Sequence, residues 1–138
     1  WAKVDFRLAK AAFAKTGGAW LKDEAKLAAN GRVRLLALDR LPALAEPADG
    51  VMNLVLMHYP AWVDRLPYRA DLLLAGHSHG GQVRIPFYGA LVKPHDVGRY
   101  EMGWYDTPAG RLYVNSGIGS LQVDFRFNCR PELAVFEV

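Results

Sequence analysis

The sequence predicts an α/β fold built around parallel strands. Two apolar runs of strand length, residues 51–57 and 71–75, are joined by about a dozen residues, which is enough for a crossover with a short helix. Residues 4–14 place apolar side chains at helical spacing. The chain has 138 residues, 51% hydrophobic and 22% charged, and is long enough to bury one core. We therefore expect one domain, or a large piece of one.

Two helices and a strand are predicted for the N-terminal part. The first helix covers residues 4–14 and is stopped by the glycines at 17–18. Residues 19–29 have a helix-forming composition, and Asn30-Gly31 is typical of a helix end. Apolar residues then alternate along 33–37 as in a half-buried strand. A second helix leading into this strand is the favoured interpretation, and a hairpin turned at Asn30-Gly31 is the other.

The two apolar runs are predicted to be buried parallel strands that end beside histidines. A loop with two prolines and an Asp-Gly pair, residues 41–50, precedes them. The first run ends at His58, and the second ends just before Gly76 and His77. If the strands are parallel, both histidines lie at the carboxyl edge of the sheet, where α/β sheets bind their ligands.

Three further strands are predicted in the C-terminal half, separated by loops that contain glycine and proline. They are residues 82–87, 111–117 and 132–138. The single cysteine, Cys129, excludes an internal disulfide and any zinc site made of several cysteines. We expect it in a packed loop.

Charge and hydropathy give no support for a nucleic-acid partner or for a membrane-spanning helix in this segment. The net charge is +3, but the basic residues are scattered instead of forming a stripe, so no nucleic-acid partner is indicated. No run approaches the roughly 18 apolar residues that a membrane-spanning helix requires. The chain begins with Trp1 instead of a methionine, so we expect it to be cut from a longer protein. An N-terminal region of that protein could carry a membrane anchor or an export signal.

The segment Gly76-His77-Ser78-His79-Gly80-Gly81 indicates a metal site. On an extended backbone, two histidines one residue apart point to the same side, and neutral imidazole is the commonest protein ligand of divalent metals. The glycines allow the backbone to turn tightly beside an ion or a phosphate. The candidate metal ligands are therefore His58, His77 and His79. A histidine that is only hydrogen-bonded within the fold is the alternative, and for His95 it is the preferred interpretation.

The same segment also fits the G-x-S-x-G nucleophile elbow of α/β-hydrolases, with Ser78 as the nucleophile. An elbow requires a helix directly after the serine, whereas the following residues are rich in glycine, proline and strand formers. The only later histidine outside the segment is His95, and no acidic residue lies between Ser78 and His95. A serine hydrolase is therefore the weaker alternative.

Residues 72–83, LLLAGHSHGGQV, resemble the GH(T/S)HGGQ signature of the calcineurin-like metallophosphoesterases. His58, in LVLMHYP, resembles the solitary histidine that precedes this signature in the family. The closing segments YVNSGIGS and RFNCRPELAVFEV resemble the end of a bacterial subgroup of membrane-associated or exported phosphohydrolases. The resemblance covers most of residues 51–138.

The resemblance implies a partial four-layer α/β/β/α sandwich, in which residues 1–138 form the C-terminal portion of a single domain. It also implies hydrolysis of a phosphoester, either a phosphodiester or a phosphomonoester, at a binuclear centre. The cofactors would be two divalent ions, for which Mn, Fe, Zn or Co are suitable. By resemblance, His58 and His77 bind one ion and His79 binds the other.

The other metal ligands of the family are not matched by this sequence. In the family, the ligands come from the blocks D-x-H, G-D-x-x-D, G-N-H-D/E, a single H and G-H-x-H, and only the last two are present here. The missing blocks would supply the bridging aspartate, the asparagine ligand and the histidine that assists the leaving group. We therefore expect little or no phosphodiesterase activity from the isolated chain. A non-catalytic metal-binding homologue and a structural domain with unliganded histidines are the alternatives.

Overall fold

The computed structural model describes residues 6–16, 18–41, 46–121 and 124–137, and its centre is a six-stranded sheet. In chain order the elements are α1 (Phe6–Ala14), β1 (Glu24–Ala28), β2 (Val33–Leu38), β3 (Met52–Met57), β4 (Leu72–Ala75), β5 (Arg84–Ile85), β6 (Gly89–Ala90), β7 (Gly103–Thr107) and β8 (Gly110–Val114). Short 3₁₀ turns lie at Ala29–Gly31, Pro60–Arg65 and His79–Gly81. The strand order is β1-β2-β3-β4-β8-β7, and β5 pairs with β6 in a separate hairpin. The predicted α/β class is confirmed.

Four parallel strands form the middle of the sheet. β2, β3, β4 and β8 pair in parallel, and Met57 lies opposite Ala75, so β3 and β4 end at the same edge as predicted. These strands are mostly leucine, valine and methionine because a central parallel strand is covered on both faces. The crossover from β3 to β4 contains the 3₁₀ turn Pro60–Arg65. Proline suits its first position, where a backbone N–H would have no partner within the helix.

Residues 19–29 contain no helix in the structure, so the favoured prediction for them is wrong. Residues 24–28 form β1, which runs antiparallel to β2. Asn30 and Gly31 turn the chain with φ values of 56° and 83°, a left-handed conformation that these two residue types adopt most readily. The hairpin is therefore confirmed. Tertiary contacts outweighed helix propensity here, because β1 gains a partner strand and Asp23 accepts hydrogen bonds from the amides that follow β2.

The three strands predicted in the C-terminal half have different outcomes. The strand at 111–117 is confirmed as β8, whereas the strand at 82–87 shortens to the two residues of β5. Phe87 has a φ of 66°, which bends the chain out of the strand conformation. Residues 132–137 form no strand. They contact the rest of the protein through side chains: Phe136 packs against the sheet, and the Glu132 carboxylate accepts hydrogen bonds from Ser116. Residue 138 lies outside the described residues.

The main core lies on one face of the sheet, and a smaller cluster lies on the other. The main core consists of buried side chains from the central strands and from the 3₁₀ turn after β3, together with Tyr100. The members of this core include Leu36, Val55, Leu73, Leu112, Val114, Trp62, Val63 and Tyr100. The second cluster is formed by Val33, Leu54 and Leu72, with Phe136 packed against it. Burial on both faces fixes the central strands, and with them the edge that carries the histidines.

The predicted N-terminal helix is confirmed over α1, and residues 4 and 5 of that prediction lie outside the described residues. Its apolar face is not part of the core, since Leu8 is 73% exposed and Phe13 is 44% exposed. No helix in the described part of the chain has the length and apolar content needed to cross a bilayer.

Candidate metal centre

His58 and His77 meet at the carboxyl edge of the sheet. His58 directly follows β3, and His77 lies two residues after β4. Because the two strands are parallel and in register, the imidazole rings come within 4.5 Å of each other, measured between ring centroids. The sequence prediction that these two histidines share one edge is confirmed. The rings are close enough for a nitrogen atom of each to contact one metal ion.

Tyr59 and His95 also contact the His77 ring. Tyr59 lies 4.6 Å from the His77 ring and 5.3 Å from the His95 ring, again between centroids. The His77 Nε2 atom is 2.9 Å from the backbone carbonyl oxygen of His95. A carbonyl oxygen only accepts, so Nε2 carries the proton, and in the neutral ring Nδ1 keeps its lone pair. A metal ligand needs such an oriented lone pair.

The surroundings of the two rings favour the uncharged imidazole. Partial burial is the largest cause that lowers the pKa of His58, and the neighbouring rings of His77, His79 and His95 lower it further. Burial also lowers the pKa of His77, although its hydrogen bond to the His95 carbonyl acts in the opposite direction. A neutral ring is the form that binds a metal ion.

His77 and His79 do not lie on an extended backbone, so this part of the sequence interpretation is wrong. Both have left-handed φ values, 64° and 49°, and Ser78 between them is in the right-handed helical region. Two tight turns hold these conformations. The Ser78 amide donates to the Gly76 carbonyl over 2.7 Å across His77, and the Gly81 amide donates to the Ser78 carbonyl over 2.8 Å across His79. Histidine is more tolerant of this conformation than bulky or branched residues, but it is uncommon enough to indicate a functional constraint.

The His79 ring carries a buried nitrogen without a hydrogen-bond partner among the described residues, namely Nδ1. Buried polar atoms are nearly always paired, so an unpaired imidazole nitrogen fits an atom that binds an ion. Within the ranges that the structure describes, however, no three His, Cys, Asp or Glu side chains are grouped to hold one ion together. The carboxylates of Asp39 and Asp96 act electrostatically on His58 and His77, but neither joins two imidazoles in such a group.

The backbone of His79 is held by the C-terminal part of the chain. Its carbonyl oxygen accepts hydrogen bonds from the Gln82 amide at 3.0 Å, from Arg126 Nη1 at 3.3 Å and from Cys129 Sγ at 3.3 Å. Arg126 also donates to the carbonyl oxygens of Ser116 and Gly119. Cys129 is buried, which confirms its place in a packed loop. The role of Arg126 was missed, since nothing in its neighbouring sequence indicates a partner so far away.

The geometry around Ser78 does not support a nucleophile elbow. Ser78 is only 1% exposed, and its Oγ accepts a hydrogen bond of 3.1 Å from the Gly80 amide. The 3₁₀ turn His79–Gly81 and the short strand β5 follow it, where an elbow requires a helix. Ser78 therefore acts as a turn residue, and the serine-hydrolase alternative loses its support.

Curated proteins with similar sequences carry phosphoesterase names. The chain is 34% identical over 119 residues to the uncharacterized metallophosphoesterase YkuE of Bacillus subtilis, an alignment that covers 80% of this chain and 42% of that protein. It is 41% identical over 68 residues to the phosphodiesterase YaeI of Escherichia coli, covering 49% of this chain and 25% of that protein. An uncharacterized metallophosphoesterase of Helicobacter pylori is 34% identical over 95 residues, which are 67% of this chain and 25% of that protein.

The chain thus spans less than half the length of the curated relatives that it matches. No protein-family model matches the chain. No solved structure gives a significant match either.

Proposed function

Because the chain belongs to the calcineurin-like metallophosphoesterase family, we propose that the complete protein hydrolyses a phosphoester at a binuclear metal centre. The observation that carries this proposal is the edge of the sheet where the His58 and His77 rings lie 4.5 Å apart. The buried, unpaired Nδ1 of His79 supports it further. All three residues belong to the segments that resemble the ligand blocks of the family.

In this proposal His58 and His77 hold one divalent ion and His79 holds the other. The carboxylate ligands come from polypeptide outside these 138 residues, because no carboxylate of the described residues is grouped with two of the imidazoles to hold one ion. When bound, such ions polarise the phosphoryl group and stabilise the charge that develops during hydrolysis. Mixed imidazole and carboxylate ligation suits Mn, Fe, Zn or Co.

The remaining residues of the centre orient the ligands and limit water. The His95 carbonyl fixes the proton of His77 on Nε2, so that Nδ1 presents its lone pair. Tyr59 packs edge-on against the His58 and His77 rings and covers one side of them. Arg126 and Cys129 hold the backbone of His79 in its left-handed conformation. These contacts reduce the reorganisation needed when an ion binds.

The test is hydrolysis of bis(p-nitrophenyl) phosphate by the complete protein with Mn²⁺, compared with a His77→Ala/His79→Ala variant. We expect a loss of more than about a hundredfold, since even residues that only orient a ligand typically account for about 10- to 100-fold. His95→Ala is the matched control: it removes a neighbouring imidazole but keeps the carbonyl that contacts His77. It should keep bound metal and most of the activity. Hydrolysis that is indifferent to the histidine pair would contradict the proposal.

The isolated 138-residue chain provides a second test. We expect it to bind Mn²⁺ weakly and to show little or no turnover, because imidazoles without carboxylates cannot complete two metal sites. Equilibrium dialysis measures the first expectation, and the same phosphodiester assay measures the second. Robust metal-dependent turnover by this chain would overturn the view that ligands are missing. Metal binding without turnover by the complete protein would instead indicate a non-catalytic homologue.

A further inference from the structure

A groove of about 440 Å³ lies beside His79. Its volume lies within the range of about 300–1,000 Å³ that is typical of small-molecule sites. Ser78 and His79 line it, and the rest of the lining is mainly apolar side chains: Val83, Leu91, Val92, Pro94 and Leu121. The groove therefore joins a candidate metal ligand to an apolar surface.

The apolar walls of the groove are open to solvent. Leu91 is 52% exposed, Val92 is 75% exposed and Leu121 is 38% exposed. Covering apolar surface of this kind with an apolar ligand is favourable by roughly 25 cal/mol per Å² of surface buried. Contiguous exposed apolar patches usually mark a binding site.

The groove is held firmly against the metal-binding turn. The Leu91 amide donates to the Val83 carbonyl over 3.0 Å, which ties two of the lining residues together. Arg84 Nη1 donates to the Gly80 carbonyl and to Glu101, each over 2.8 Å. These bonds fix the hairpin of β5 and β6 next to His79, so the groove exists before a ligand arrives.

The charges at the groove select against a cationic or highly polar occupant. Apart from His79, its described lining contains one ionisable side chain, Lys93, and no carboxylate. The Lys93 ammonium group lies 3.4 Å from Glu101, so its charge is partly neutralised there and its methylene chain remains for the groove. An uncharged apolar group attached to an anion fits this arrangement.

We propose that the substrate is an amphiphilic phosphoester whose alkyl or acyl group lies in this groove while its phosphoryl group reaches His79. This inference rests on the proposed phosphoesterase function and names the class of its substrate. A segment of polypeptide is a poorer occupant, because His79 itself lines the groove and a chain that filled it would cover the candidate ligand. A small apolar group leaves that ligand accessible from the sheet edge.

The test compares two substrates with the same leaving group, methyl p-nitrophenyl phosphate and octyl p-nitrophenyl phosphate, the latter below its critical micelle concentration. With the complete protein and Mn²⁺, we expect KM to be at least about tenfold lower for the octyl ester, because each methylene buried in the groove makes the binding free energy more favourable. Equal KM values for the two esters would overturn the proposal.

Two surface variants link the chain-length effect to the groove. Val92→Asp places a charge in the apolar wall and should bring the ratio of the two KM values close to one. Val135→Asp introduces the same change at a residue that is 85% exposed and does not line the groove, and it should leave the ratio unchanged. An unchanged ratio in Val92→Asp, or an equal effect of Val135→Asp, would count against the groove.

A binding assay separates failure of this inference from failure of the proposed function. If neither ester is hydrolysed, the phosphoesterase proposal fails, and the groove is tested alone by titration calorimetry of octyl phosphate and methyl phosphate. Binding of octyl phosphate at least about tenfold tighter, and weakened by Val92→Asp, supports the apolar site. Equal binding of the two phosphates overturns it.

Discussion

Gly81 packs so closely against Ala90 that a single added methyl group should disturb the turn His79–Gly81. A Cβ at Gly81 would lie 2.1 Å from the Ala90 Cβ and 3.1 Å from the Ala90 Cα, whereas carbon atoms in contact normally lie about 3.5–4.0 Å apart. Gly81 also has a φ of +78°, which costs a side chain about 1–2 kcal/mol. Overpacking adds about 1–3 kcal/mol. Gly81→Ala should therefore lower the free energy of unfolding by about 2–5 kcal/mol.

Urea unfolding of the complete protein measures this loss, and Gly31→Ala separates its two causes. Gly31 has a similar φ of +83° but no atom within 4 Å of an added Cβ. It should therefore lose only the backbone part, about 1–2 kcal/mol. The double variant Gly81→Ala/Ala90→Gly removes the closest contact, and we expect a favourable coupling energy of about 1–3 kcal/mol between the two sites.

Two results would refute the reasoning for Gly81. One is a cost of Gly81→Ala no greater than that of Gly31→Ala, which would mean that the turn relaxes without strain. The other is simple additivity in the double variant, which would mean that the Ala90 contact is not the source of the cost. Either result would also weaken the view that β6 is fixed against the turn that carries His79.

Two further predictions concern charged residues near the site. Arg126→Ala should lower the free energy of unfolding by about 2–3 kcal/mol, because the Ser116 carbonyl loses its Arg126 donor and the His79 carbonyl loses one of three donors. It should also weaken metal binding about 10- to 100-fold in chelator competition. The exposed Arg130 is the control, and an equal effect of Arg130→Ala would mean that charge alone matters. Burial alone would raise the pKa of Glu101, but hydrogen bonds from the Ala90 amide and Arg84 outweigh it and lower the pKa. The stabilisation by Glu101 is therefore present above the usual carboxyl pKa and is lost as pH falls through the lowered pKa. The free energy of unfolding of wild type should exceed that of Glu101→Gln by about 1 kcal/mol at pH 7, and this gap should close as pH falls below that lowered pKa. Urea midpoints across that range test it, and a gap independent of pH would contradict it.

The centre of the fold could be predicted because its strands carry a local signal. The run that forms β3 is apolar throughout, has the length of a strand and is followed by a crossover of the expected size. The segment at 19–29 gave the wrong prediction because its helix-forming composition is a weak preference, which pairing with β2 outweighed. β7 was missed because Gly103–Thr107 mixes glycine, acidic and aromatic residues and acquires its strand form from pairing with β8.

At the site, the sequence predicted which residues come together better than how they are arranged. That His58 and His77 share an edge followed from two parallel strands. The rule that alternate residues point the same way failed for His77 and His79, because it assumes an extended backbone and both residues have left-handed φ values in tight turns. Arg126 could not be found from spacing, since its hydrogen bond to His79 joins residues 47 apart in the chain. The assignment of His58, His77 and His79 as metal ligands stays a prediction.

The hydrogen bonds from Arg126 and Cys129 to His79 affect the order in which parts of the chain fold. The carbonyl of His79 is held by Arg126 and Cys129, which are 47 and 50 residues further along the chain. At a synthesis rate of about 5–20 residues per second, they leave the ribosome about 2–10 s after His79 does. β3 and β4 need only a short crossover to pair, so the His58–His77 edge can form while the nascent chain is still growing. The backbone of His79 is then fixed after the His58–His77 edge.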